Sequence, residues 1–170
     1  KIQPSPCDTT ARLIFKVPEN NMIKSTTIVG LSGSLRKASS NTKLLKYIEK
    51  KIKVKDGDMH FSFGNINLPL YNDDLEKEAG IPETVIKLGE TLSRASGIII
   101  STPEYNKGIS GALKNSFDWM SRLKPNPFTS KTIAIVSATD GRSGGERSQY
   151  MLRMCLTPFD CKIIPVSYTH

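Results

Sequence analysis

The chain has 170 residues, a formal net charge of +8, two His and three Cys, and 38% of its residues are hydrophobic. One compact α/β core accounts for that length without a second domain, and no stretch approaches the eighteen or so consecutive apolar residues of a membrane span. His60 and His170 stand apart from Cys7, Cys155 and Cys161 with no paired ligand spacing, which argues against a metal centre and for reduced thiols in a cytoplasmic setting.

The first residue is not Met, and Met22 lies just ahead of the first apolar run. Residues 1–24 are expected to form a poorly ordered extension, with no long apolar core of a secretory signal, ahead of a domain spanning 25–170. Ile28-Val29-Gly30-Leu31 predicts a buried strand over about 26–33, and Leu44, Leu45, Ile48 and Ile52 line one face of a helix over about 40–53. Between them lies Ser34-Leu35-Arg36-Lys37-Ala38-Ser39-Ser40-Asn41, hydroxyl-rich and placed where a strand feeds a helix N-terminus. Unpaired N–H groups and the positive end of the helix dipole meet there, and Ser, Asn and Arg side chains add donors suited to a phosphate. The alternative is that Ser39 or Ser40 merely caps the helix. Lys43, Lys46, Lys50, Lys51, Lys53 and Lys55 are scattered along this helix and its exit with little aromatic interleaving. That describes a solvated basic face, not a nucleic-acid surface.

A strand over about 58–64 alternates Met59, Phe61 and Phe63 with His60 and Ser62, as a half-exposed edge strand does. Pro82 is placed to start a helix over about 82–95 with Val85, Leu88 and Leu92 along one stripe. Gly97-Ile98-Ile99-Ile100 predicts a central strand over about 97–102, and Thr102-Pro103-Glu104-Tyr105-Asn106 follows it either as an ordinary turn or as a second ligand loop. In the helix over about 110–122, Leu113, Phe117, Met120 and Leu123 form the core stripe. Trp119 lies off that stripe and is expected to be available for a subunit contact. A strand over about 131–137, a helix over about 145–156 and a strand over about 161–167, where Pro165 suits a sheet edge, complete the alternation.

Strands alternating with helices call for a parallel sheet covered on both faces, and ligands of such sheets bind beyond the carboxyl ends of the strands. The run Gly30-Leu31-Ser32-Gly33-Ser34-Leu35 lacks the third glycine of a dinucleotide fingerprint and the Gly-Lys-Ser/Thr ending of a Walker loop. A terminal monophosphate suits it better.

Several motifs together resemble the NADPH-dependent FMN reductase family, with the chromate and quinone reductases nearest within it. They are Gly33 to Arg36 with Ser39 and Asn41, Leu68-Pro69-Leu70-Tyr71, Pro103 to Asn106 with Leu113-Lys114-Asn115 and Asp118-Trp119, and Gly144-Gly145 with Arg147 to Tyr150 and Leu152-Arg153. The resemblance runs from about Thr26 to the end. It implies a flavodoxin-like three-layer sandwich whose five-stranded parallel sheet has the order 2-1-3-4-5. Relatives continue past the last strand into a closing helix, so a chain stopping at His170 is expected to lack it, as a fragment or as a departure from the family.

The activity implied is that of an NAD(P)H-dependent oxidoreductase in the cytoplasm. It passes electrons from NADPH or NADH through bound FMN to a quinone, a metal oxyanion such as chromate, or a free flavin. Homodimers or homotetramers are implied, with no membrane or nucleic-acid partner. Residues Ser34, Leu35, Arg36, Lys37, Ala38, Ser39, Ser40 and Asn41 would bind the ribityl phosphate, and Pro103, Glu104, Tyr105 and Asn106 would edge the isoalloxazine ring. Ser137, Thr139 and Gly144 would complete the pocket, although each glycine of this loop also reads as a plain turn. No catalytic side chain is named because the flavin performs the chemistry. Lys107 stands where relatives often place an aromatic residue, either as a cation at the mouth or simply as a surface lysine. Two other classes compete: a flavodoxin-like electron carrier, whose usual acidic surface is missing here, and a truncated non-catalytic paralogue.

Overall fold

A computed structural model describes residues 26–55 and 59–164. The expected N-terminal extension, Cys7, Met22, Pro165 and His170 lie outside the described residues. The elements are β1 (Thr27–Ser32), α1 (Ser40–Lys55), β2 (His60–Gly64), α2 (Asp73–Ala79), α3 (Glu83–Arg94), β3 (Gly97–Ser101), α4 (Gly111–Met120), β4 (Thr132–Val136), α5 (Glu146–Leu156) and β5 (Lys162–Ile163). All strand pairs are parallel and the order is β2-β1-β3-β4-β5, as the family resemblance implied.

Strand residues alternate between two faces, and the two faces are covered differently. A side chain at Gly30 would strike Phe61 and touch Leu45 of α1, whereas Leu31 and Leu88 of α3 meet at Gly64, so α1 and α3 lie on opposite sides. Right-handed crossovers put α3, α4 and α5 on one side. There Val29, Leu31, Ile98, Ile100, Ile133 and Ile135 join Leu88, Phe117, Leu152 and Leu156 in one buried cluster. On the α1 side, Ile28, Ile99, Ala134 and Val136 are only half-buried. The edge strand β2 buries Phe61, but Phe63, which the alternation sets on the same face, is 41% exposed at the sheet edge with its ring edge-on to Phe61. Among the described residues, no helix is long and apolar enough to cross a membrane.

Two further features depart from the sequence expectation. Helix α2 was not foreseen. It buries no residue, and its stability comes from its ends: Asn72 accepts from the Asp74 N–H at 2.9 Å, Asp73, Asp74 and Glu76 occupy the first turn, and Gly80 at φ 75° closes it. Arg122 donates to Glu76 at 2.7 Å and thereby anchors α2 to the segment after α4, and that bond raises the Arg122 pKa.

The second departure is a correction. Trp119, expected off the core stripe and free for a subunit contact, is 1% exposed. The segment Leu68 to Tyr71 straps across α4 and buries a second face of that helix. Trp119 Nε1 donates to the Pro69 carbonyl at 2.7 Å, and the Tyr71 ring meets the indole edge-on at 5.0 Å between centroids. Asn115 accepts from the Tyr71 N–H at 2.8 Å and donates to Pro69 at 2.9 Å.

Candidate active site

Helix α1 has no acidic residue in its first turn, in contrast to α2. Ser39, almost fully buried, accepts from the Thr42 N–H at 3.3 Å, so of the two serines offered as an alternative cap it is Ser39 that caps the helix. It satisfies only one donor of the four that a helix start leaves open. Among the described residues, the Ser40 and Asn41 N–H groups donate to nothing, and the exposed Arg36 guanidinium has no carboxylate partner. The positive end of a 16-residue helix is thus left uncompensated, next to a free cation.

The loops that follow β1, β3 and β4 converge at this point, all at the carboxyl edge of the sheet. They enclose a cleft of about 110 Å³ lined by Arg36, Ser40 and Asn41 from the first loop, Pro103, Glu104 and Tyr105 from the second, and Ala138, Thr139 and Asp140 from the third. Arg36 and Tyr105 also border a wider cleft of about 400 Å³, whose other walls are Gly33, Ser34, Leu35 and the start of α4 at Ser110, Gly111 and Ala112. A side chain at Gly111 would meet only open space. A side chain at Gly33 would come within 2.9 Å of the Pro103 ring, so the close approach of the first two loops requires glycine there.

The loops are laced together beneath the cleft. The Gly33 N–H donates to the Ser101 carbonyl at 2.7 Å, and Ser110 Oγ donates to the Gly33 carbonyl while capping α4. Ser137 Oγ donates to the Thr102 carbonyl at 2.8 Å. Glu104 turns away from the cleft's other groups toward α5, where its carboxylate accepts from the Arg147 N–H at 3.2 Å and sits 3.6 Å from the Arg147 guanidinium. The chain after Glu104 forms a tight hairpin. Tyr105 and Gly108 exchange backbone hydrogen bonds, and Asn106 and Lys107 both take left-handed φ of 50° and 65°.

Of the residues singled out from the sequence, Arg36, Ser40, Asn41, Pro103, Glu104, Tyr105 and Thr139 line the smaller cleft, and Ser34 and Leu35 line the wider one. Lys37, Ala38 and Asn106 are exposed beside these clefts. Ser39 and Ser137 act from behind, and Gly144 lies outside both linings, in a left-handed turn at φ 59°. Sequence reasoning missed Ala138 and Asp140 in the third wall, and Ser101 and Ser110 beneath it. Only Ser110 carried a legible signal, as a serine directly ahead of a helix.

The donor set fits an anionic phosphate, since Arg36, Ser40 and Asn41 all line one cleft and the Ser40 and Asn41 N–H groups have no protein acceptor among the described residues. Residues 26–169 match the family described as NADPH-dependent FMN reductase. The chain belongs to this family. The quinone reductase of Escherichia coli is 38% identical over 137 residues, which span 81% of this chain and 72% of that protein. The NADPH:quinone oxidoreductase of Arabidopsis thaliana is 41% identical over 127 residues, 74% of this chain and 64% of that one. Among solved structures, a flavoenzyme NAD(P)H:(acceptor) oxidoreductase from Paracoccus denitrificans superposes with a TM-score of 0.75 at 32% identity, covering 84% of this chain and 77% of its own. The chain is therefore an oxidoreductase that uses FMN with NAD(P)H, on a flavodoxin-like fold.

Among the described residues, Cys155 and Cys161 of this reductase lie outside the linings of both clefts. Burial pushes the Cys155 and Cys161 thiols above their ordinary range, so both are neutral at pH 7. In a Cys7→Ser variant the remaining thiols should react with iodoacetamide more slowly than free cysteine at pH 7, and faster as pH rises. Labelling at the free-cysteine rate would show them accessible and ionised.

Proposed function

We propose that this reductase carries electrons from NADPH through FMN to a quinone, in the cytoplasm and as a homo-oligomer. The observation that carries the reading is the cleft in which an uncompensated helix N-terminus, Arg36 and the Pro103 to Tyr105 segment face one another. Arg36, Ser40 and Asn41 hold the ribityl phosphate in it, and the rest of the loop from Ser34 to Asn41 borders or backs that position. Pro103 to Asn106 border the ring, Thr139 closes the third side, and Ser137 and Gly144 support that loop. Bound FMN supplies the hydride-accepting and electron-returning chemistry, so no protein nucleophile is needed.

The protein's own contribution is binding and orientation. The Glu104 bond to the Arg147 N–H fixes the backbone that borders the ring, and Gly33 lets the first and second loops touch. A metal oxyanion such as chromate is a second acceptor class compatible with Arg36, Lys37 and Lys107, all exposed around the mouth. Self-association is supported by Tyr150, Met151 and Met154, which form an exposed apolar stripe on α5.

Anaerobic titration of the FMN-loaded protein with NADPH should bleach the flavin absorbance rapidly, and a quinone should restore it. Bound flavin that NADPH does not reduce would sink this function and favour an electron carrier. Arg36→Ala should weaken FMN binding about tenfold or more, since a charge-assisted hydrogen bond contributes about 1.5–3 kcal/mol. Unchanged affinity would remove the phosphate from this cleft.

A further inference from the structure

Asn41 carries more than a ligand contact. Its side chain is 3% exposed, and its Oδ1 accepts two hydrogen bonds, from Ser101 Oγ at 2.8 Å and from the Ala138 N–H at 3.0 Å. Its Nδ2 donates to the Ala138 carbonyl at 3.1 Å. A primary amide has two lone pairs and two N–H donors, so three of its four bonds are spent on the protein. Both polar backbone atoms of Ala138 are thus tied to one side chain from the first loop. Ser101, fully buried at the end of β3, is what holds that side chain to the central strand.

We propose that Ser101 is a positioning residue for the flavin phosphate, acting through Asn41 to hold the Ala138 to Asp140 wall against the start of α1. The inference rests on the phosphate reading of the smaller cleft. Ser101 does not line that cleft, so it reaches the ligand only through this knot. Buried hydrogen bonds of this kind polarise and rigidify one another, and the affinity of a preformed site falls when its walls gain freedom. With the Ser101 hydroxyl gone, one Oδ1 lone pair is released and the amide can rock. The wall that Asn41 holds then loses its register with Arg36 and Ser40. The backbone bond from Gly33 to the Ser101 carbonyl survives the substitution, so β1 and β3 stay paired and the protein folds.

The test compares FMN with riboflavin, which lacks the phosphate, on wild type, Ser101→Ala, Asn41→Ala and the double variant. Ser101→Ala should cut the FMN-over-riboflavin preference about tenfold, with riboflavin affinity and apo-protein melting little changed. The double variant should be no worse than Asn41→Ala, because Ser101 acts only through Asn41. A general loss of structure would weaken both flavins in parallel and leave the preference intact, which would overturn the proposal. Additive losses in the double variant would also overturn it. A wild type that binds both flavins equally would overturn the phosphate reading itself, and this inference with it.

Discussion

Trp119→Ala should lower the free energy of unfolding by about 3–5 kcal/mol, the range for truncating a buried aromatic side chain. The indole is 1% exposed and lies between the α4 core stripe and the strap at Leu68 to Tyr71. Its removal leaves a cavity on one side and loosens the strap on the other, because the Nε1 bond to Pro69 and the edge-on contact with Tyr71 go together. The Pro69 carbonyl is not orphaned, since Asn115 still donates to it at 2.9 Å. Trp119→Phe keeps most of the apolar contact and loses the donor, so its loss should be about 1–2 kcal/mol. Urea unfolding measures both. A loss under about 1 kcal/mol for the alanine variant, accompanied by a change in oligomeric mass, would return Trp119 to a subunit contact.

The reason Trp119 was misplaced also shows what a sequence carries and what it does not. Helical periodicity reports the face turned to the sheet, and Leu113, Phe117, Met120 and Leu123 were legible on that basis. It does not report a second face covered by an irregular segment, because Leu68 to Tyr71 has no period of its own. Helix α2 was missed for the complementary reason. With no buried residue it lacks an apolar stripe, although Asn72, the acidic first turn and Gly80 spell out its caps.

Strand order was implied by the family resemblance, and the continuously apolar and alternating runs agreed with it, since parallel central strands are buried on both faces. At the site, the loops after β1 and β3 stood out from composition beside a strand end as candidate ligand loops, each of which also read as a plain cap or turn. Ala138 contributes through its backbone alone, and a backbone atom leaves no trace in residue identity. Ser101 looked like the polar end of a strand, and only the three-dimensional pairing with Asn41, 60 residues away, shows its use.

Gly145→Ala should cost about 2–5 kcal/mol, well beyond the same change at its neighbour. Both Gly144 and Gly145 are left-handed, at φ 59° and 80°, so an alanine at either carries a strain of about 1–2 kcal/mol. A side chain at Gly144 meets nothing. At Gly145 it would collide with Ser137 Oγ and lie 2.9 Å from Ser137 Cβ. Rotating the serine away breaks its bond to the buried Thr102 carbonyl, which adds about 1–3 kcal/mol for an unsatisfied acceptor.

Moving α5 instead is no cheaper, because its first turn holds Glu104 through the Arg147 N–H. Either response disturbs the β3 loop, so Gly145→Ala should also shed FMN faster than wild type. The two alanine variants share the backbone strain, and the difference between their melting curves isolates the contact with Ser137. If that contact is the cause, Ser137→Ala should recover part of the Gly145→Ala loss, a coupling that distant sites do not show. Equal losses at 144 and 145 would mean that the loop relaxes without engaging Ser137, and the link from the start of α5 to the loop after β3 would then run through Glu104.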